Sequence, residues 1–351
     1  MPPTPATLRP LGGPPGELVT AVRRWWEAPD GPLVVRTSGS TGAPKDVQLS
    51  HRALAASASS AQQWLGGPGQ WLLALPPGYV AGLSVLVRSA LAGTTPVVAA
   101  DHGSLPEAVA ALTADRAYIS LVPTQVHRLA ATGSLPVLRR FAAVLVGGAA
   151  LPADLAERCA AEGVRVVRTY GMSETCGGCV YDGGPLAGVH VRLGAEGRVH
   201  LSGPVLFDGY PGDPAATARV LRAGELRTPD VGQLDHGRLV VTGRVDDIVV
   251  SGAVNVSLPA VTEALLRSPG IVDAMAVGIA DAEWGTRVVA CVVVAPGAVV
   301  GLSSLRDAVT ASVPRTWAPR ALVTLDAIPR LVTGKPDRSA LAALAAAAPQ
   351  R

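Results

Sequence analysis

A chain of 351 residues, 48% hydrophobic and 16% charged, is long enough for a large core and more than one domain, since single cores stop growing near roughly 250 to 300 residues. This composition excludes a disordered chain, and a formal charge of +3 on scattered carriers, with no basic cluster or aromatic-flanked stripe, gives nucleic acid no footing. The Pro- and Gly-rich start lacks the pattern of a secretion signal, four cysteines are too few for a disulfide framework, and the longest uncharged stretch, 288–305, is broken by Pro296-Gly297, so a cytoplasmic protein without membrane spans is expected.

In chain order, the apolar run Leu33-Val34-Val35 reads as a strand, and a helix opens at Ser50 and runs to about residue 64. Between them lies Thr37-Ser38-Gly39-Ser40-Thr41-Gly42-Ala43-Pro44-Lys45, so the window reads as strand, glycine-rich loop and helix. Small residues there let backbone N–H groups approach an anion closely, and Lys45 adds a point charge. It is not a Walker loop, because Pro44 precedes Lys45 and Asp46 follows it. An ordinary turn is the alternative reading.

Strands at 71–75, 96–99, 118–122, 143–146 and 164–169 alternate with helices at 82–91, 106–114, 123–131 and 152–162. Alternation with near-continuous apolar strands predicts a parallel, doubly wound sheet with ligands at the strand C-terminal ends. From Gly188 short strands at 189–193, 199–202 and 239–242 suggest an antiparallel part. A boundary near Gly243-Arg244 is followed by a strand at 245–250, a helix at 258–266, strands at 272–279 and 288–294, a helix from Ser303, a strand at 321–325 and an Ala-rich helix from Ser339. The expected fold is therefore α/β: a large N-terminal domain, 1–243, with a doubly wound, mostly parallel sheet plus a short-stranded antiparallel part, and a small mobile α+β C-terminal domain, 244–351.

Only two lysines, Lys45 and Lys335, stand against 28 arginines, and both sit in glycine-containing turns. Arginine cannot replace lysine where a compact, rotatable ammonium must fit beside a reacting group, which marks both as chemical candidates. Four further windows fall where the alternation puts a ligand: Gly147-Gly148-Ala149-Ala150, Tyr170-Gly171-Met172-Ser173-Glu174-Thr175, Thr228-Pro229-Asp230 and Gly243-Arg244-Val245-Asp246-Asp247. In order and rough spacing these six windows resemble the ATP-dependent acyl-adenylating superfamily of acyl-CoA synthetases, adenylation domains and luciferases. The resemblance runs from about Leu33 to the C-terminus. Ser120-Leu121-Val122-Pro123-Thr124-Gln125, the Gly171 to Cys176 window and the short N-terminus are most similar to the ligases that join o-succinylbenzoate to CoA.

The resemblance implies ATP, Mg²⁺ and CoA as co-substrates of a ligase. Thr37 to Gly42 and Lys45 would hold the β- and γ-phosphates, Ser173 would donate to a phosphate, and Glu174 would help bind Mg²⁺. Gly147, Gly148, Ala149, Tyr170, Gly171 and Met172 would surround the adenine, while Asp230 and Arg244 would reach the ribose. Lys335 would bridge the attacking carboxylate and ATP, Asp246 would be the hinge, and Ser251 and Gly252 would line the CoA channel. Tight turns for the glycines, a solvated helix-end carboxylate for Glu174, a surface ion pair for Asp230 and Arg244, and a Gly-Lys-Pro turn closing a surface loop for Lys335 are the alternatives.

For the acid, Tyr79 stands where many relatives carry histidine, near Gly82, and Ser84 and Arg88 share a helix face at i,i+4 spacing. Thr124 and Gln125 occupy the first turn after Pro123, where the helix dipole favours anions, with His127 and Arg128 one turn on. Cys176-Gly177-Gly178-Cys179 has zinc-ligand spacing but no second ligand pair, so small residues lining an acyl pocket is the reading there. Asp46, after the loop lysine, would add a negative charge beside a polyphosphate. A stand-alone adenylation domain, a non-catalytic adenylate-binding module and a homodimer complete the expectations.

Overall fold

The computed structural model describes residues 11–37 and 44–347, in a large and a small domain whose facing loops touch. The large domain opens with α1 (Pro15–Glu27), a hairpin of β1 (Leu33–Arg36) and β2 (Asp46–Leu49), and α2 (His51–Trp64), whose N-cap Ser50 accepts from Ala53 N–H. Then follow β3 (Gln70–Leu73), α3 (Val80–Leu91), β4 (Val97–Val98), α4 (Leu105–Ala110), β5 (Ala117–Leu121), α5 (Pro123–Ala131), β6 (Ala143–Gly147), α6 (Ala153–Ala161), β7 (Val166–Met172), β8 (Gly177–Tyr181) and β9 (Gly184–Pro185). Their sheet has the order β4-β3-β5-β6-β7-β8-β9, parallel as far as β7 and antiparallel beyond it.

Successive strand residues point to opposite faces, and here both faces are covered. Trp71, Leu73, Tyr118, Leu145 and Val167 pack with α1, α2 and α3, whereas Leu72, Ile119, Val144 and Val146 pack with α4, α5 and α6. Each such fully buried large side chain contributes about 2 kcal/mol, which is why the strands read as continuous apolar runs. Helix α3 is buried from Gly82 to Ser89, and a Cβ at Gly82 would collide with the Pro76 carbonyl, so this glycine serves close packing.

A second sheet, β10 (His190–Leu193), β11 (Arg198–Ser202), β12 (Leu221–Arg222), β13 (Glu225–Asp235) and β14 (Arg238–Arg244), with α7 (Pro214–Val220), adds Val199, Leu201, Leu226 and Leu239 to the first core. The small domain holds β15 (Ile248–Ser251), β16 (Val254–Ser257), α8 (Leu258–Leu266), β17 (Ile271–Asp281), β18 (Gly285–Val294), α9 (Leu302–Thr310), β19 (Ala321–Thr324) and α10 (Arg338–Ala346). Its sheet order is β16-β15-β18-β17 with β19 parallel to β18, α8 and α9 packing on one face and α10 on the other. No helix among the described residues is long and apolar enough to cross a membrane.

Two local expectations are corrected, and one helix was not anticipated. The strands on either side of 38–43 pair antiparallel, so Lys45 leads into a strand and not directly into a helix; Val47 and Leu49 alternate into the core opposite Val35 and Leu33, making a strand of 46–49. The Pro-rich start gives way to α1, which buries Leu18, Val22 and Trp25 at i, i+4 and i+7. The expected strand at 245–250 begins only at Ile248, because residues 245–247 form a 3₁₀ turn in which Asp246 holds Arg244.

Candidate active site

The C-terminal ends of β6 and β7 supply the floor of the site. Gly147 and Gly148 end β6; a Cβ on Gly147 would run into the Thr169 hydroxyl, and Gly148 has φ +84°, so a flat backbone surface results. On β7 the Tyr170 hydroxyl donates to Asp230 Oδ2 at 2.7 Å. Asp230 is lifted into place by an irregularity in β13: residues 228–230 together oppose Val199 of β11, and the Thr228 hydroxyl donates to Val199 O at 2.8 Å while accepting from Asp230 N–H at 3.1 Å. Pro229, which cannot donate to a ladder, sits in that bulge. Burial pushes the Asp230 carboxyl up, opposed by the Tyr170 hydroxyl and by Arg244, whose Nη1 lies 3.6 Å from Oδ1. Arg244 also clasps Asp246 through Nε and Nη2 at 3.0 and 2.8 Å.

Past Met172, which ends β7, a 3₁₀ turn at Ser173–Thr175 projects Glu174. The turn is locked by the Thr175 hydroxyl, which accepts from Met172 N–H at 2.9 Å and donates to Gly177 O at 2.7 Å, and it ends on Cys176 at φ +54°. Glu174 Oε1 accepts from the Tyr210 hydroxyl at 2.8 Å. The Lys45 Nζ lies 5.1 Å from the centroid of the same tyrosine ring. Thr37 and Lys45 close the base of their loop, Thr37 N–H donating to Lys45 O at 2.8 Å and Lys45 N–H to Thr37 Oγ1 at 2.9 Å. Ser38, Gly39, Ser40, Thr41, Gly42 and Ala43 lie outside the described residues. Asp46 is held by Arg36 across the hairpin at 2.8 and 3.1 Å, so its charge is met locally.

Lys335 comes to this floor from the small domain. Its Cε would lie 3.5 Å from a Cβ on Gly148, and a Cβ on Gly334 would lie 3.1 Å from Val122 and 3.3 Å from Thr124 Oγ1. Burial holds the ammonium below the usual lysine range, Arg244 adds to that, and Asp230 and Glu174 pull the other way. Two arginines flank its loop. Arg330 donates to Asp273 at 2.7 Å and to Gly334 O at 3.3 Å, and Arg338 grips the buried Asp247 with both guanidinium arms.

The remaining predicted residues divide. Ser84 donates to Cys176 O at 3.2 Å and faces Gly177, while Arg88, only 5% exposed, donates to the Tyr181 hydroxyl at 2.9 Å and lies 5.1 Å from the Trp71 ring centroid. Gln125 is used structurally: it accepts from Val122 N–H at 3.0 Å and donates to Ala74 O at 3.0 Å. His127 and Arg128 are exposed. Tyr79 lines an open cavity of about 840 Å³ with Arg36, Pro76, Pro77 and the segment from Leu11. Cys176 and Cys179 are buried free thiols, burial pushing both up, Cys179 to about 12. Ser251 is buried with no partner for its hydroxyl among the described residues, and Gly252, at φ +57°, lies against the Trp284 ring. Tyr210 is the site residue that sequence reasoning missed; its only signal was a tyrosine, one of five, inside a Gly209 to Gly212 turn.

The profile of the AMP-binding enzyme family matches residues 25–244, and that of the AMP-binding enzyme C-terminal domain matches residues 260–335. The probable 2-succinylbenzoate–CoA ligase of Mycobacterium tuberculosis H37Rv is 44% identical over 88% of this chain and 83% of its own length. The 2-succinylbenzoate–CoA ligase of Escherichia coli K12 is 33% identical over 72% of this chain and 56% of its own. The Bacillus subtilis o-succinylbenzoate CoA synthetase, solved with its acyl-adenylate intermediate, is similar with a TM-score of 0.78 and 28% identity over 88% of this chain and 68% of that one. On the strength of both domain matches and of the relative that it shares at 44% identity, the chain belongs to the AMP-binding enzyme family.

Proposed function

We propose that the chain is an ATP-dependent acid:CoA ligase that converts o-succinylbenzoate to its acyl adenylate, releasing pyrophosphate, and passes the acyl group to CoA, a step of menaquinone biosynthesis. The observation that carries this reading is Lys335, half-buried with its Cε toward Gly148 and within the electrostatic reach of Asp230, Glu174 and Arg244. A carboxylate attacking the α-phosphate of ATP brings anion against anion, so neutralisation and alignment account for most of the catalysis. Lys335, the catalytic lysine in this reading, is a partly desolvated ammonium placed where both partners meet.

The other roles follow the same geometry. Gly147, Gly148, Ala149, Tyr170, Gly171 and Met172 receive the adenine. Tyr170 occupies one oxygen of Asp230, which leaves the other, with Arg244, for the ribose hydroxyls. Thr37, the loop to Gly42, Lys45 and Ser173 take the phosphates. Glu174 fits a magnesium ion carried in with ATP, since it is a hard oxygen ligand and its second oxygen has no hydrogen-bond partner among the described residues. Such an ion would shield the charge of the triphosphate. A hinge at Asp246 and a CoA channel past Ser251 and Gly252 belong to the second half-reaction, with 244–351 moving as the small domain.

Arg88 gives the reading its acid. A buried guanidinium with no carboxylate partner among the described residues, and with Nε unbonded, is costly unless an anion completes it. The aromatic carboxylate of o-succinylbenzoate supplies that anion while the succinyl carboxylate reacts. Pyrophosphate release across a panel of acids, with and without CoA, tests the reaction. Comparing kcat/KM for o-succinylbenzoate with that for an ester of its aromatic carboxylate tests the pocket; equal values would sink Arg88 as the reader of the second charge. A cytoplasmic setting and a homodimer complete the proposal, the latter tested by sedimentation.

A further inference from the structure

We infer that Tyr210 is a positioning residue for the magnesium–phosphate half of the site, holding Glu174 by its hydroxyl and Lys45 by its ring. The inference rests on the function just proposed. Tyr210 belongs to a short strap stitched to both sides of the phosphate region. Gln48, on the hairpin strand that follows Lys45, donates to Gly209 O at 3.0 Å and accepts from Asp208 N–H at 2.9 Å, while Phe207 N–H donates to Glu174 O at 3.0 Å. Tyr210 N–H donates to Thr217 Oγ1 at 2.8 Å, and Phe207 packs edge-on against the Tyr210 ring with centroids 5.1 Å apart. Main chain and ring are thus fixed before any side chain reaches the ligand.

From that fixed ring two functional groups are held at once. The hydroxyl donates to Glu174 Oε1 at 2.8 Å, which selects one carboxylate orientation and leaves Oε2 for a metal. The ring face lies 5.1 Å from Lys45 Nζ, an attraction that restrains an otherwise exposed four-carbon side chain. Burial first, and the Glu174 charge second, push the phenol above its usual range, so it remains a donor at any pH the enzyme meets. Hydrogen-bonded supports of this kind orient metal-binding carboxylates, and their loss weakens metal use about tenfold or more.

Two substitutions separate the two contacts. Tyr210→Phe keeps the ring and removes the hydroxyl; the magnesium concentration for half-maximal pyrophosphate release should rise about tenfold, with KM for ATP at saturating magnesium unchanged. Thioester formation from supplied acyl adenylate and CoA should be unaltered. Tyr210→Leu also frees Lys45 and should weaken ATP binding even without magnesium. Calorimetric titration of ATP with and without magnesium reads the same effects without turnover: Tyr210→Phe should keep the metal-free affinity and lose the gain that magnesium adds. Unchanged magnesium dependence would overturn the inference, as would equal loss in both half-reactions, which would make Tyr210 a residue of the fold. Should no acid be adenylated by the parent protein, the proposed function fails, and the calorimetry still decides on Tyr210.

Discussion

Lys45 and Lys335, the two lysines of the chain, stand on loops built in opposite ways. Lys45 follows a hairpin loop, is exposed, and has an aromatic face and no carboxylate against it among the described residues. Lys335 is carried from the other domain into a half-buried position, and its loop is pinned by the Arg330–Asp273 and Arg338–Asp247 pairs. An exposed, hydrated ammonium suits a flexible polyphosphate that arrives with its own charge. A desolvated one is worth far more to a transition state but must be placed by others, because burial costs it solvation. Under the proposed function the difference assigns two identical side chains to one reaction at different levels, Lys45 to binding and Lys335 to the chemical step.

Removing each lysine breaks the comparison most directly. Lys335→Ala should lower adenylate formation by about a thousandfold while thioester formation from supplied acyl adenylate stays largely intact. Lys45→Ala should act mainly on KM for ATP. If Lys335→Ala damaged both half-reactions equally, its step-specific role would be wrong. Asp246→Pro should do the reverse, leaving adenylation measurable and slowing CoA transfer by about a hundredfold, since a fixed φ would hinder rotation between two domain arrangements. Because proline also removes the Asp246 grip on Arg244, Asp246→Ala is the control. Unchanged rates in both steps with proline would take Asp246 out of the hinge.

The arginine clamps sharpen the comparison further. Arg330→Gln releases the Gly334 carbonyl and Asp273, and Arg338→Gln leaves the Asp247 carboxylate buried and unpaired. Each should lower adenylation about tenfold through a displaced Lys335, with KM for ATP little changed. Separate assays of the two half-reactions check this; a matching loss in thioester formation would mean that the clamps hold the domain and not the loop.

How much of this was legible in the sequence follows from the physics of each part. The doubly wound core was, because strands buried on both faces must be apolar throughout, and α5 and α8 begin at the expected residues where Pro123 and the capping Ser257 mark them. Helix α1 was not, since a Pro- and Gly-rich start masked its i, i+4, i+7 stripe. Strand β2 was hidden by its brevity between a loop and a capped helix. Asp230 and Lys335 could be singled out from their windows, but their meeting could not, because 105 positions separate 230 from 335 and only the domain arrangement joins them. Tyr210 carries no sequence pattern of its own. Gln125 shows the opposite failure: a residue in the right turn, whose amide is consumed tying β3 to α5.

The smallest expected effect is in the pH profile, and it follows from the same contrast. In the proposed reaction adenylation needs the charged form of Lys335, whose proton is held less tightly than that of an ordinary lysine because burial and Arg244 outweigh Asp230 and Glu174. A lowered lysine value means that the charge is lost earlier as pH rises, so kcat/KM for ATP in the adenylation step should fall on its alkaline side below the usual lysine range. kcat/KM reports the free enzyme, in which no triphosphate yet restores the charge; kcat should therefore fall at higher pH than kcat/KM. Thioester formation from supplied acyl adenylate, which does not use Lys335, should lack this limb. Lys335→Arg, charged throughout, should lose it too, along with most of its rate, because a planar fork does not fit beside Gly148. An alkaline limb common to both half-reactions and retained in Lys335→Arg would assign it to another group and remove the electrostatic distinction between the two lysines.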